Sequence, residues 1–120
     1  MMGRCLFMRK GNVHTDPGVF DVPITVSVNT AAIGTTWQFF IDKESVPSNG
    51  GFIILTAAHS GWDSGARYVH FSVTGATAVA EGGSSTSSPA LNPTNRQAQF
   101  TINLSDITGD ISLYIESVTG

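Results

Sequence analysis

Apolar and polar residues alternate with a period of two along almost the whole chain, and that pattern belongs to strands, not helices. In residues 22–29, Ile24, Val26 and Val28 point one way while Thr25 and Ser27 point the other. Residues 35–42 repeat the pattern with Trp37, Phe39 and Ile41 inward, and residues 67–74 with Val69, Phe71 and Val73 set against Tyr68, His70 and Ser72. Residues 52–57 are apolar on both faces, as in a strand covered on both sides. Short strands are also expected at 4–9 and 77–81. Residues 97–104 and 110–118 read as a closing hairpin around 105–109, with Phe100, Ile102 and Leu104 facing the same way as Ile111, Leu113 and Ile115. Pro23 cannot donate to a ladder, so it belongs at a strand start or on an edge. Loops are expected at 47–51 and 59–65, and a long polar one at 82–95.

Seven to eight short strands and no convincing helix predict an all-β fold: a two-sheet antiparallel β-sandwich, immunoglobulin-like or jelly-roll-like, with its strand order left open. The domain is expected to span residues 16–120, preceded by an N-terminal strand or docking arm at 1–15. The predicted core is Ile24, Val26, Val28, Trp37, Phe39, Ile41, Ile54, Val69, Phe71, Phe100, Ile102, Leu104, Ile111, Leu113 and Ile115.

Composition narrows the partners. Only 12% of residues are charged, against about 25% in an ordinary soluble domain, so copies of the chain repel one another weakly. A net charge of −3 with six Lys and Arg argues against a nucleic-acid partner, which calls for a broad basic patch. Cys5 is the sole cysteine, so an intrachain disulfide is excluded and the thiol reads as a small hydrophobe. No apolar run approaches the roughly 20 residues of a membrane span, and the few apolar residues near the start are too short for a secretory signal. Neither a membrane partner nor signal-peptide export is expected.

Candidate chemistry dissolves on inspection. The segment Leu55-Thr-Ala-Ala-His-Ser60 resembles the one that carries the catalytic histidine of chymotrypsin-like serine proteases, and Asp63-Ser-Gly65 echoes their nucleophile segment. A triad, however, needs its three groups to converge from separate elements, whereas His59 and Ser64 lie five residues apart in one loop. His14, Asp16, His59, Asp63 and His70 could ligate zinc or iron, but their scatter lacks ligand spacing. Asp106 and Asp110 flank a turn, and Asp42 with Glu44 leads into a loop. Gly50-Gly51 and Gly82-Gly83 lack the lysine or helix start of a phosphate cradle. No catalytic residue, cofactor or metal is therefore expected, and the chain reads as a non-enzyme. Three aromatics remain as candidate ligand or partner contacts: Trp62 in a small polar loop, where folding back over one end of the core is the equal alternative, and Tyr68 and Tyr114 opposite the apolar phase of their strands.

Two segments carry a resemblance. Gly3-Arg-Cys-Leu-Phe-Met-Arg-Lys-Gly-Asn-Val-His-Thr15 resembles the N-terminus of small proteins in the structural modules of phages and prophages of Gram-positive gut bacteria, where similar openings precede unlike domains. Phe100-Thr-Ile-Asn-Leu-Ser-Asp-Ile-Thr-Gly-Asp-Ile-Ser-Leu-Tyr-Ile115 is similar to the closing hairpin of immunoglobulin-like modules common in phage tail and baseplate proteins. The resemblance implies a virion structural protein (tail, baseplate or capsid-decoration subunit), made in the host cytoplasm. Its implied partners are other copies of itself and other virion proteins. A carbohydrate-binding or host-adhesion module with a glycan partner is the alternative. The opening segment joins apolar Cys5, Leu6, Phe7 and Met8 to basic Arg4, Arg9 and Lys10. Such a strand needs cover on both faces, so it is expected to act as an assembly or docking element.

Overall fold

Eight strands form within residues 18–120, the part of the chain that the computed structural model describes. They are β1 (Asp21–Val28), β2 (Gln38–Ile41), β3 (Ser45–Pro47), β4 (Gly51–Ala58), β5 (Tyr68–Thr74), β6 (Thr77–Ala80), β7 (Gln97–Ser105) and β8 (Ile111–Thr119). A single helical turn, α1 (Thr30–Ile33), interrupts the β pattern. The strands divide into two four-stranded sheets, ordered β3-β1-β8-β5 and β2-β4-β7-β6, which is the expected sandwich. The expected arm, with Arg4, Cys5, Leu6, Phe7, Met8, Arg9 and Lys10, lies outside the described residues, as do His14 and Asp16.

The sheets are antiparallel with one exception: β1 runs parallel to β8, from Ile24 opposite Ile111 to Val28 opposite Ile115. This parallel ladder begins one residue after Pro23, whose missing N–H therefore costs it nothing, while Pro23 itself lies opposite Ser45 on the β3 side.

The closing hairpin is a misreading. β7 pairs with β4 and β6 in one sheet, and β8 pairs with β1 and β5 in the other. Residues 106–110 arch from one sheet to the other at the surface, held by the Thr108 N–H donating to the Gly75 carbonyl at 2.8 Å. Gly75 has φ +85°, and a Cβ there would overlap the Asp110 carbonyl, so the close approach requires glycine. Hairpin and arch place the same phase of each strand inward, and so the alternation alone could not separate them.

Most of the predicted core is buried: Ile24, Val69, Phe71, Phe100, Ile102, Leu104, Ile111, Leu113 and Ile115. Phe71 and Phe100 meet across the two sheets with ring centroids 6.1 Å apart. Val26, Val28, Trp37, Phe39 and Ile41 pack against this cluster half-buried. Ile54 is the exception. In β4 it is Ile53, Leu55 and Ala57 that are buried, and Ile54 lies on the outer face opposite Thr101. An all-apolar run offers no polar phase from which to choose.

The long loop after β6 serves the fold. Ser87 and Leu91 bridge His70 and Arg67, so the segment lies along the edge of β5. Ser88 is buried there: its N–H donates to the Val69 carbonyl, its hydroxyl accepts from the Val69 N–H at 2.9 Å, and it donates to the Pro89 carbonyl at 2.8 Å. An edge that would otherwise present unpaired backbone groups is thereby covered.

Candidate functional site

Strands β2, β4, β6 and β7 contain no charged residue. Their inward phase fills the core, so the outward phase forms an uncharged surface of Gln, Asn, Thr and apolar side chains. Phe40 is 56% exposed and Phe52 and Val79 are each 47% exposed, which places three large apolar side chains in water. The pairing sets them in register. Phe52, Asn103 and Val79 lie in one row across β4, β7 and β6, while Phe40, Thr56 and Gln99 form another, with Ile54 between the rows on β4. At a strand spacing of about 4.8 Å, Phe40, Phe52 and Ile54 gather on β2 and β4, while Val79 stands apart on β6, beyond the polar outward residues Gln99, Thr101 and Asn103 of β7.

Charge returns only at the rim of this face. Lys43 Nζ stands 4.0 Å from the centre of the Phe52 ring, donates to the Phe52 carbonyl at 2.9 Å and pairs with Asp42 at 3.2 Å. Asp42 Oδ1 accepts from the Ile54 N–H at 2.7 Å. That backbone donor, aided by Lys43, holds the Asp42 carboxyl below the ordinary aspartate value. The face is thus uncharged and carries exposed apolar side chains toward its edges, with polar residues between them and charge only at the rim. Alternation marks its outward residues in the sequence. The sequence reading does not single out Phe40 or Val79, and it sets Ile54 inward where the structure sets it outward.

The residues singled out from the sequence are dispersed. Tyr68 and Tyr114 are exposed, at 39% and 38%, on the outer side of the opposite sheet. They lie level with β5 positions four residues apart, since Tyr114 is opposite Ser72; at about 3.3 Å per residue they stand roughly 13 Å apart along the strand. Trp62 is not an exposed platform. It is buried, its indole N–H donates to the Gly65 carbonyl at 2.9 Å, and its ring packs 5.3 Å from that of Trp37 over the end of the core. The loop satisfies the indole locally, which lets the ring fold inward.

No triad is assembled from His59, Asp63 and Ser64. His59 Nδ1 accepts from the Gly61 N–H at 2.9 Å, which leaves the proton on Nε2, within 3.1 Å of Thr36 Oγ1. Asp63 faces Arg96 at 3.2 Å instead of the imidazole. His70 bonds Thr119 Oγ1 at 2.7 Å. Among the described residues, no group of three or more His, Cys, Asp or Glu is placed to hold a metal ion.

Two clefts open at the end of the sandwich on either side of His59. One, of about 210 Å³, lies against Trp37, Trp62 and Arg67. The other, of about 450 Å³, reaches Asn95 and Arg96. These two residues have φ of 56° and 64° in the tight turn between Thr94 and Gln97. No family model, curated protein or solved structure matches the chain.

Proposed function

We propose that this chain is a non-enzymatic structural subunit of a bacteriophage particle, from its tail, baseplate or capsid decoration, and that copies meet through the outer face of β2-β4-β7-β6. The absence of charge on that face, with Phe40, Phe52 and Val79 exposed there, supports the self-assembly half of the reading. Each copy has a net charge of −3, so like charges oppose one another over most surfaces brought together. A face without charge is where two copies approach without that cost, and Phe40, Phe52 and Val79 lose water on contact. The phage half rests on the resemblance of residues 3–15; the hairpin likeness of residues 100–115 does not add to it, since β7 and β8 belong to different sheets.

The face is small. Four strands about 4.8 Å apart, the longest of 8 and 9 residues, make a patch of about 400 Å², roughly half of the ~800 Å² that each partner gives to a standard interface. Residues 3–10 supply a second contact in this reading, since Arg4, Arg9 and Lys10 are opposite in sign to the chain as a whole.

The test is sedimentation velocity over a dilution series, together with electron micrographs of the purified protein. Rings, fibres or a defined oligomer are expected. Phe40→Glu with Val79→Glu should return the protein to monomers without lowering its unfolding temperature, and deletion of residues 1–15 should weaken assembly while leaving the domain folded. Dispersed monomers at every concentration would overturn the reading.

A further inference from the structure

The smaller end cleft holds a cation without a partner. Among the described residues the basic side chains are Lys43, Arg67 and Arg96. Lys43 is paired with Asp42 and Arg96 with Asp63, whereas the Arg67 guanidinium makes no ion pair or side-chain hydrogen bond. Its backbone is fixed, because the Arg67 N–H and carbonyl both bond Leu91 at 2.8 Å. A Cβ added at Gly120 would stand 2.8 Å from Arg67 Cδ and Nη1, so the guanidinium lies across bare backbone at the cleft.

Three rings form one side of the cleft, and Val118, Thr119 and the backbone of Gly61 and Gly120 complete it. Trp37 is half-buried, with its centroid 4.8 Å from that of His59 and 5.3 Å from that of Trp62. Both His59 nitrogens are occupied by Gly61 and Thr36, so the imidazole is a fixed wall and not a competing donor. The volume of about 210 Å³ exceeds the ~150 Å³ cavity that accepts benzene. One substituted six-membered ring fits, and an extended chain does not.

We propose that this cleft binds a ring compound bearing a single carboxylate, with the carboxylate on Arg67 and the ring against Trp37. A planar guanidinium matches a carboxylate bidentately, and an indole face takes a sugar or an aromatic ring. One cation in a chain of net charge −3 suits a monoanion better than a phosphate dianion. An acidic sugar and an aromatic acid share this chemistry. The site stands apart from the assembly face, and neither proposal depends on the other.

Both tryptophans of the chain line this cleft, so their indole N–H signals in proton–nitrogen correlation spectra report on it alone. The probes are glucuronate and benzoate, each against its neutral counterpart, glucose or benzyl alcohol. At least one acid should shift both signals saturably, binding about tenfold more tightly than its neutral partner and more weakly as salt is added. Which acid does so identifies the source. Arg67→Gln should bring acid and neutral affinities level while leaving the unfolding temperature unchanged. Signals unmoved by both acids, or an Arg67→Gln protein that binds the acid as tightly as the native one, would overturn the proposal.

Discussion

The two sheets share one interior and differ almost entirely in what they show to water. On β3-β1-β8-β5 the outward residues include Thr25, Ser27, His70, Ser72, Thr74 and Ser112, with Tyr68 and Tyr114 among them and Asp21 and Glu116 adding charge. The β5 edge of that sheet is covered by the segment around Ser88. On β2-β4-β7-β6 the outward face has no charge and exposes Phe40, Phe52 and Val79. Burial is alternating in both. The inward phase decides that a sandwich forms, and the outward phase, which folding hardly constrains, is where the two faces diverge in use.

The comparison can be broken from the inside. Phe71 on one sheet and Phe100 on the other touch within the shared core, so Phe71→Ala or Phe100→Ala should each cost about 3–5 kcal/mol in denaturant unfolding. Either substitution costing under about 1 kcal/mol would mean that the sheets do not depend on a common interior. Ser88→Ala comes next. It strips the buried Val69 N–H of its hydroxyl acceptor and should cost about 1–3 kcal/mol, with faster amide exchange along β5 as the edge cover loosens.

Charging the two outer faces in turn sharpens the contrast. Phe40→Glu and Tyr114→Glu both alter exposed positions and should change stability by no more than about 0.5 kcal/mol. Only Phe40→Glu should reduce the sedimentation coefficient at high concentration. Equal loss of association from both variants would erase the distinction between the faces. The smallest effect lies at the rim. The depressed Asp42 carboxyl stabilises the fold above the ordinary aspartate value and loses that contribution as pH falls through its lower folded value. Asp42→Asn should therefore flatten the stability profile below about pH 4. The group is exposed enough to keep the difference slight.

Much of this fold is legible in the sequence wherever one phase of a strand is polar. Val69, Phe71, Ile102 and Leu113 were placed inside for that reason. Legibility fails in three places, each for its own cause. Residues 52–57 have no polar phase, so Ile54 was assigned inward in place of Ile53 and Leu55. The turn after β7 looks the same whether the next strand returns to its own sheet or crosses to the other, because pairing is a long-range property. Trp62 sits among small polar residues that leave exposure and infolding open, and only the Gly65 carbonyl, which satisfies its N–H, decides for the inward ring. The end cleft was not legible at all. Arg67 meets Trp37 and Trp62 only after β2, β5 and the loop between β4 and β5 have converged.

The parallel pairing of β1 with β8 has a consequence for the order of events at the ribosome. β1 is the first described strand to be made and β8 the last, yet they are neighbours at the centre of one sheet. Until residues 111–119 leave the exit tunnel, β1 has only the three-residue β3 to pair with, and β5 lacks its one strand neighbour. At roughly 5–20 residues per second, the nascent chain spends several seconds with half of its interior uncovered. A chain stalled just before Ile111 should be cut readily by protease, and one held at the ribosome by an added linker long enough to clear the tunnel should resist. Nearly all of the domain must be synthesised before this sheet can close around its centre.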